Sequence, residues 1–141
     1  MLRMIAGGTT LVAAVLLHQA VKAETVPQRY SCYGRTSEPA DLEPAILISG
    51  CTAVIQSGNR SGHELAMAFT VRGLGYRRTF LFELAFEDFN EAINLDPAYA
   101  PAYRHRGNMY LERGEIERAG QDFDQAARLE LREAELGDEE L

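Results

Sequence analysis

The sequence predicts an all-α fold, a short solenoid of antiparallel helix pairs, and three observations predict it. From residue 63 onward the apolar residues recur at helical spacing rather than alternating as in a strand. The segment beginning at Ala66 is echoed 34 residues later by the one beginning at Ala100, and a fixed internal period marks a repeat architecture. Asp96-Pro97 interrupts the chain between the two copies, because a residue before proline is pushed out of the helical region.

In chain order, residues 1–23 come first, with a positive Arg3, an apolar run from Met4 to Leu17 and a polar close at Val21-Lys22-Ala23. This is the layout of a secretory signal peptide cleaved after Ala23, or after Ala20. The run is broken by Gly7-Gly8-Thr9-Thr10 and falls short of the roughly 20 residues that span a bilayer, so an uncleaved membrane anchor is the alternative reading. Cys32 follows Arg29-Tyr30-Ser31 rather than small residues, which argues against a lipoprotein signal. The expected location is therefore periplasmic or secreted. Lys22 is the only lysine, so the exported chain would carry arginine at every other basic position.

Residues 24–40 read as an irregular leader and 41–62 as an N-terminal capping helix and loop. In the helix, expected over 41–56, Leu42, Ile46, Leu47, Cys51, Val54 and Ile55 fall on one apolar side. Carrying the 34-residue frame back once puts Cys51 on Ala85 and Ile55 on Phe89, a small residue followed by a large one, as half a repeat requires. An oxidising compartment favours a Cys32–Cys51 disulfide. Its short loop would stabilise by on the order of 3 kcal/mol. Two separate thiols, with Cys51 a small buried residue, are the alternative. A zinc site would need two further ligands, and His63 and His105 stand at no ligand spacing, so neither metal nor cofactor is expected.

Two helix pairs follow over residues 66–133. The 34-residue shift matches Phe69 with Tyr103, Arg72 with Arg106, Gly73 with Gly107, Tyr76 with Tyr110, Ala85 with Ala119, Phe89 with Phe123, Ala92 with Ala126 and Leu95 with Leu129. Phe69, Gly73 and Tyr76 share a helix face. A mid-helix glycine costs about 1 kcal/mol against alanine, which predicts the close approach of another helix backbone at Gly73. On the second helix, Ala85, Phe89 and Ala92 repeat the pattern. The turn Arg77-Arg78-Thr79-Phe80-Leu81 lacks the glycine present in Arg113-Gly114-Glu115, which predicts a distorted first turn. Leu131 stands where Pro97 stood, so the last helix should run on to Gly137, with 134–141 an acidic tail. Ser61 is a candidate N-cap ahead of His63. His105 reads as an ordinary helical imidazole. Glu83, Glu87 and Asp88 read as a solvated face.

This set of glycine, tyrosine, alanine, phenylalanine and proline positions on a 34-residue period resembles the tetratricopeptide repeat family. The likeness covers 66–99 and 100–133 and is strongest at Phe89-Asn90-Glu91-Ala92-Ile93-Asn94-Leu95-Asp96-Pro97. The resemblance implies a concave wall built from first helices that binds a protein or peptide. Its groove-facing positions fall on Thr70, Leu74 and Arg77 and on Arg104, Asn108 and Leu111. Arg104 and Asn108, one turn apart, could grip a carboxylate as a Lys and an Asn do in related proteins; solvated side chains or local pairs are the alternative. Thr70 and Leu74 leave the clamp incomplete. A cysteine pair ahead of the repeats also fits small exported members of the family.

The composition narrows the function. A net charge of −7 with no basic stripe argues against nucleic acid. There is no phosphate-cradling glycine loop, nucleophile elbow or two-histidine helix motif, so the chain reads as non-enzymatic. The expectation is a protein–protein interaction module with no cofactor and no membrane insertion after cleavage. A self-assembling adaptor subunit is the alternative. A small exported enzyme or metal binder using His63, His105 and the cysteines is the third reading.

Overall fold

The computed structural model describes Cys32 and residues 43–138; the expected signal peptide, nearly all of the leader and the end of the acidic tail lie outside the described residues. These form five helices and no strands: α1 Pro44–Gln56, α2 Gly62–Arg78, α3 Phe82–Leu95, α4 Ala100–Glu112 and α5 Ile116–Asp138. Each helix packs on the next, and α2 also touches α4, which is the neighbour pattern of stacked helical hairpins.

Proline sets the first boundary. α1 begins at Pro44 rather than Asp41, because Pro lacks an N–H and has φ preset for the first turn. The Glu43 carbonyl opens the helix by accepting from Ile46 and Leu47. Leu47, Gly50, Cys51 and Val54 form its buried face, while Ile46, expected on that face, is exposed. Cys32 and Cys51 lie at disulfide distance, with Cα atoms 4.6 Å apart. They are fully buried beside Val54 and Ala68, with Ile55 and Val71 packed around them.

The Ser61 N-cap of α2 is present as a full capping box: the Ser61 hydroxyl accepts from the Glu64 N–H, and the Glu64 carboxylate accepts from the Ser61 N–H at 3.0 Å. α3 ends at Asp96, whose side chain accepts from the Ala98 N–H at 3.0 Å and shapes the turn into α4. With leucine at 131, α5 continues past the end of its hairpin to Asp138.

Gly73 and Gly107 lie at helix crossings as expected, but their close neighbour is an aromatic ring rather than a backbone. A Cβ on Gly73 would stand 2.7 Å from Phe89 Cε1, and one on Gly107 would stand 2.9 Å from Phe123 Cε1. Ala85 and Ala119 are fully buried next to these crossings. Gly75 serves a different neighbour, since a Cβ there would meet Ile48 Cγ1 at 2.8 Å and the Pro44 carbonyl oxygen at 3.2 Å.

The first turn is not distorted. Leu81 N–H donates to the Tyr76 carbonyl at 2.9 Å and Glu115 N–H to the Tyr110 carbonyl at 2.9 Å, the same bond 34 residues on. The difference is confined to one torsion. Phe80 adopts φ 62° where Gly114 has φ 75°, so the first hairpin accepts left-handed strain to keep the second hairpin's turn.

Candidate partner-binding face

Two charged staples hold the helix pairs in register, and only half of each was visible in the sequence. Arg72 on α2 donates from Nε and Nη2 to the two Asp88 oxygens on α3 at 2.8 and 2.7 Å; Arg106 on α4 makes the same fork to Asp122 on α5 at 2.8 and 2.7 Å. Asp88, expected on the solvated face, is buried. Each guanidinium also reaches backward with Nη1, Arg72 to the Thr52 hydroxyl at 3.3 Å and Arg106 to Asn90 Oδ1 at 2.7 Å. Every staple thus ties its own hairpin together and ties that hairpin to the preceding helix. Bonding to Asp88 raises the Arg72 pKa further above its ordinary value, and bonding to Asp122 does the same for Arg106. Burial pushes the Asp88 carboxyl up, against the pull of Arg72. The signal for the acidic partners was present, since Asp88 and Asp122 also recur at 34 residues.

Held this way, α2 and α4 lie side by side as one wall. Of the six groove positions carried over from the resemblance, Leu74, Arg77, Asn108 and Leu111 are half-buried or exposed residues of α2 and α4. Leu74 is half-buried against the cluster of Ala85, Phe86, Phe89 and Met109. Arg77 crosses from α2 to Glu112 on α4, with Nε 3.1 Å from Oε1. Asn108 is half-buried, and Leu111 is exposed.

The other two are placed differently. Thr70 is only 2% exposed, and its hydroxyl has no hydrogen-bond partner among the described residues, so it is part of the interior. Arg104 is engaged by Glu130 on α5. The imagined Arg104–Asn108 grip therefore begins with its guanidinium already bound to a carboxylate.

His105 was the least expected contributor. Its ring stacks on Phe89 with centroids 5.9 Å apart and planes 24° from parallel. Burial, with Arg104 and Arg77 nearby, lowers its pKa from 6.5 to about 4, so the imidazole is neutral at physiological pH. His63 stands apart from it at the start of α2, with Nδ1 2.5 Å from an Asp96 oxygen and its ring edge-on to Tyr99. His63, His105 and the two cysteines do not converge, and no group of three or more His, Cys, Asp or Glu among the described residues could hold a metal ion. No described helix is long and apolar enough to cross a membrane.

A shallow cleft continues the wall at its turn end. Phe82 and Glu83 of α3 line it with Met109, Glu112 and Arg113. Arg113 bridges it by bonding Glu83 at 3.0 Å and lying 4.0 Å over the Phe86 ring.

No family model matches the chain. Human mitochondrial import receptor subunit TOM70 is 38% identical over 64 residues, which is 45% of this chain and 10% of that protein. Among solved structures, MamA superposes with a TM-score of 0.63 at 21% identity, covering 87% of this chain and 70% of its own. The second TPR of Spaghetti (RPAP3), solved bound to the HSP90 peptide SRMEEVD, superposes with a TM-score of 0.61 at 23% identity, covering 80% of this chain and 98% of its own.

Proposed function

We propose, from a chain that has the tetratricopeptide repeat fold, that this protein is an exported, non-enzymatic interaction module which holds an extended or helical segment of another protein against the α2–α4 wall. The observation that carries the reading is the match, over 80% of this chain and 98% of the other, to a repeat domain of this fold solved with a peptide bound. The wall supports it chemically. Leu74 and Leu111 offer apolar contact, Asn108 can donate to and accept from a backbone, and the Arg77–Glu112 pair can exchange its internal partner for one on the ligand. The signal-like composition of residues 1–23 supports export to the periplasm or beyond.

A photo-crosslinking residue at Leu111 should trap a partner in the native compartment, and the same residue at Glu91, on the exposed side of α3, should not. Equal capture at both positions would remove the binding face from the α2–α4 wall. Fractionation with N-terminal sequencing tests the location, and an intact residue 1 in the cytosolic fraction would end the export reading.

A further inference from the structure

The 34-residue equivalence shows which face of the array has no neighbouring helix among the described residues. On α3 the residues Phe82, Phe86, Phe89 and Ile93 form a stripe, and α4 covers it: Tyr110 meets Phe86 at 5.2 Å between ring centroids, His105 stacks on Phe89, and Met109, Ala102 and Tyr99 pack around them. The equivalent positions on α5 are Ile116, Gly120, Phe123 and Ala127, and the helix carries the stripe on through Leu131 and Ala134.

Spacings of four, three, four, four and three residues keep these six positions on one helix face, about 27 Å long. No described helix covers it. Ile116 is 64% exposed and Leu131 65%, Ala127 and Ala134 are exposed, and a Cβ on Gly120 would meet nothing within 4 Å. Phe123 is half-buried where its equivalent Phe89 is fully buried.

We infer that this stripe is the seat of a second copy of the same chain, with the two α5 helices antiparallel about a two-fold axis near residue 125. The stripe alternates large and small residues, and an antiparallel copy brings them into complementary register. Ile116 faces Ala134 of the other copy, Phe123 faces Ala127, and Leu131 faces Gly120. This is the self-complementary arrangement that a two-fold interface requires. Charge is balanced at the centre, where an axis at residue 125 brings the exposed Asp124 of each copy to about 3 Å along the helix axes from both Arg128 and Asp124 of the other, so that two carboxylates lie between two guanidinium groups. Glu117 and Glu135 face each other at the ends, where solvent and salt screen them.

Sedimentation equilibrium of the full chain tests this. The unaltered protein should be a reversible dimer. Ala127→Arg, at an exposed position, should weaken association at least tenfold without changing the far-ultraviolet circular dichroism. Asp124→Arg should also weaken it, and adding Arg128→Asp to that variant should restore it. A monomer at every concentration overturns the inference and leaves the stripe to a helix of a different protein. A dimer indifferent to Ala127→Arg, or one that the charge swap fails to restore, overturns the interface or its register. None of these outcomes bears on partner capture at Leu111.

Discussion

Where the second hairpin has Gly114, Met109 and His105, the first has Phe80, Gly75 and Val71, and the last two differences follow from what lies next to the hairpin. Gly75 makes room for Pro44 and Ile48 of α1, whereas Met109 fills space against α3. Val71 sits beside the cysteine cluster, whereas His105 lies over Phe89. The turn residues differ without a corresponding change in neighbours, and there the backbone of the first hairpin holds the strain. The two-point forks of the staples are the same in both copies, at 2.8 and 2.7 Å. A repeat unit of this kind is thus two layers of requirement: an inner one that both copies share, and an outer one specified by the adjacent helix.

The largest test asks whether the shared layer is equally important in both copies. Asp88→Ala and Asp122→Ala each leave a partly buried guanidinium without its carboxylate, and each should destabilise by about 3 kcal/mol in urea unfolding. The Asp88 change should be the larger, because among the described residues α3 is covered on both sides and α5 on one. Equal losses would show that burial by the next helix adds nothing to the staple.

The second test concerns an outer-layer difference. His105 has its pKa lowered from 6.5 to about 4 in the folded chain, so between those values the unfolded chain takes up a proton that the folded ring does not. Stability is fully present above pH 6.5, falls as pH drops through the window, and levels off below about 4. The ring is only half-buried, so the expected loss is about 2 kcal/mol. His105→Leu should flatten the pH dependence of the urea midpoint, moving the second hairpin toward the first, which has valine there. An unchanged slope would assign the titration to another group.

The smallest test exchanges the turns. Phe80 is 77% exposed and makes an edge contact with Phe82, so relieving its positive φ should outweigh what the ring contributes. Phe80→Gly should stabilise by about 1 kcal/mol, and Gly114→Ala should destabilise by a similar amount, both read from thermal melts. A destabilised Phe80→Gly would mean that the exposed ring has packing value after all.

The helix pairs were legible because their signals are local and repeated. Gly73 and Gly107, Ala85 and Ala119, and Phe89 and Phe123 each need a small or large residue at a crossing, and the spacing displays that need directly. The staples were half legible. Arg72 and Arg106 stood out as a pair, but Asp88 adjoins Phe89 in sequence, and a single-helix projection cannot say that a neighbouring guanidinium reaches across to it. The surroundings of the groove positions were not legible for the same reason. Whether Thr70 faces a partner or the interior, and whether Arg104 is open or held by Glu130, depends on how adjacent helices cross. No residue-by-residue transfer contains that information.

The backward reach of Arg72 to Thr52 and of Arg106 to Asn90 has a kinetic meaning. Since each staple ties its own hairpin to the preceding helix, α3 cannot open without breaking bonds at Asp88 and Asn90 at once. Amide protons in the middle of α3 should therefore exchange with deuterium last, and those beyond Leu131 in α5 first, giving a gradient of protection that radiates outward from one helix.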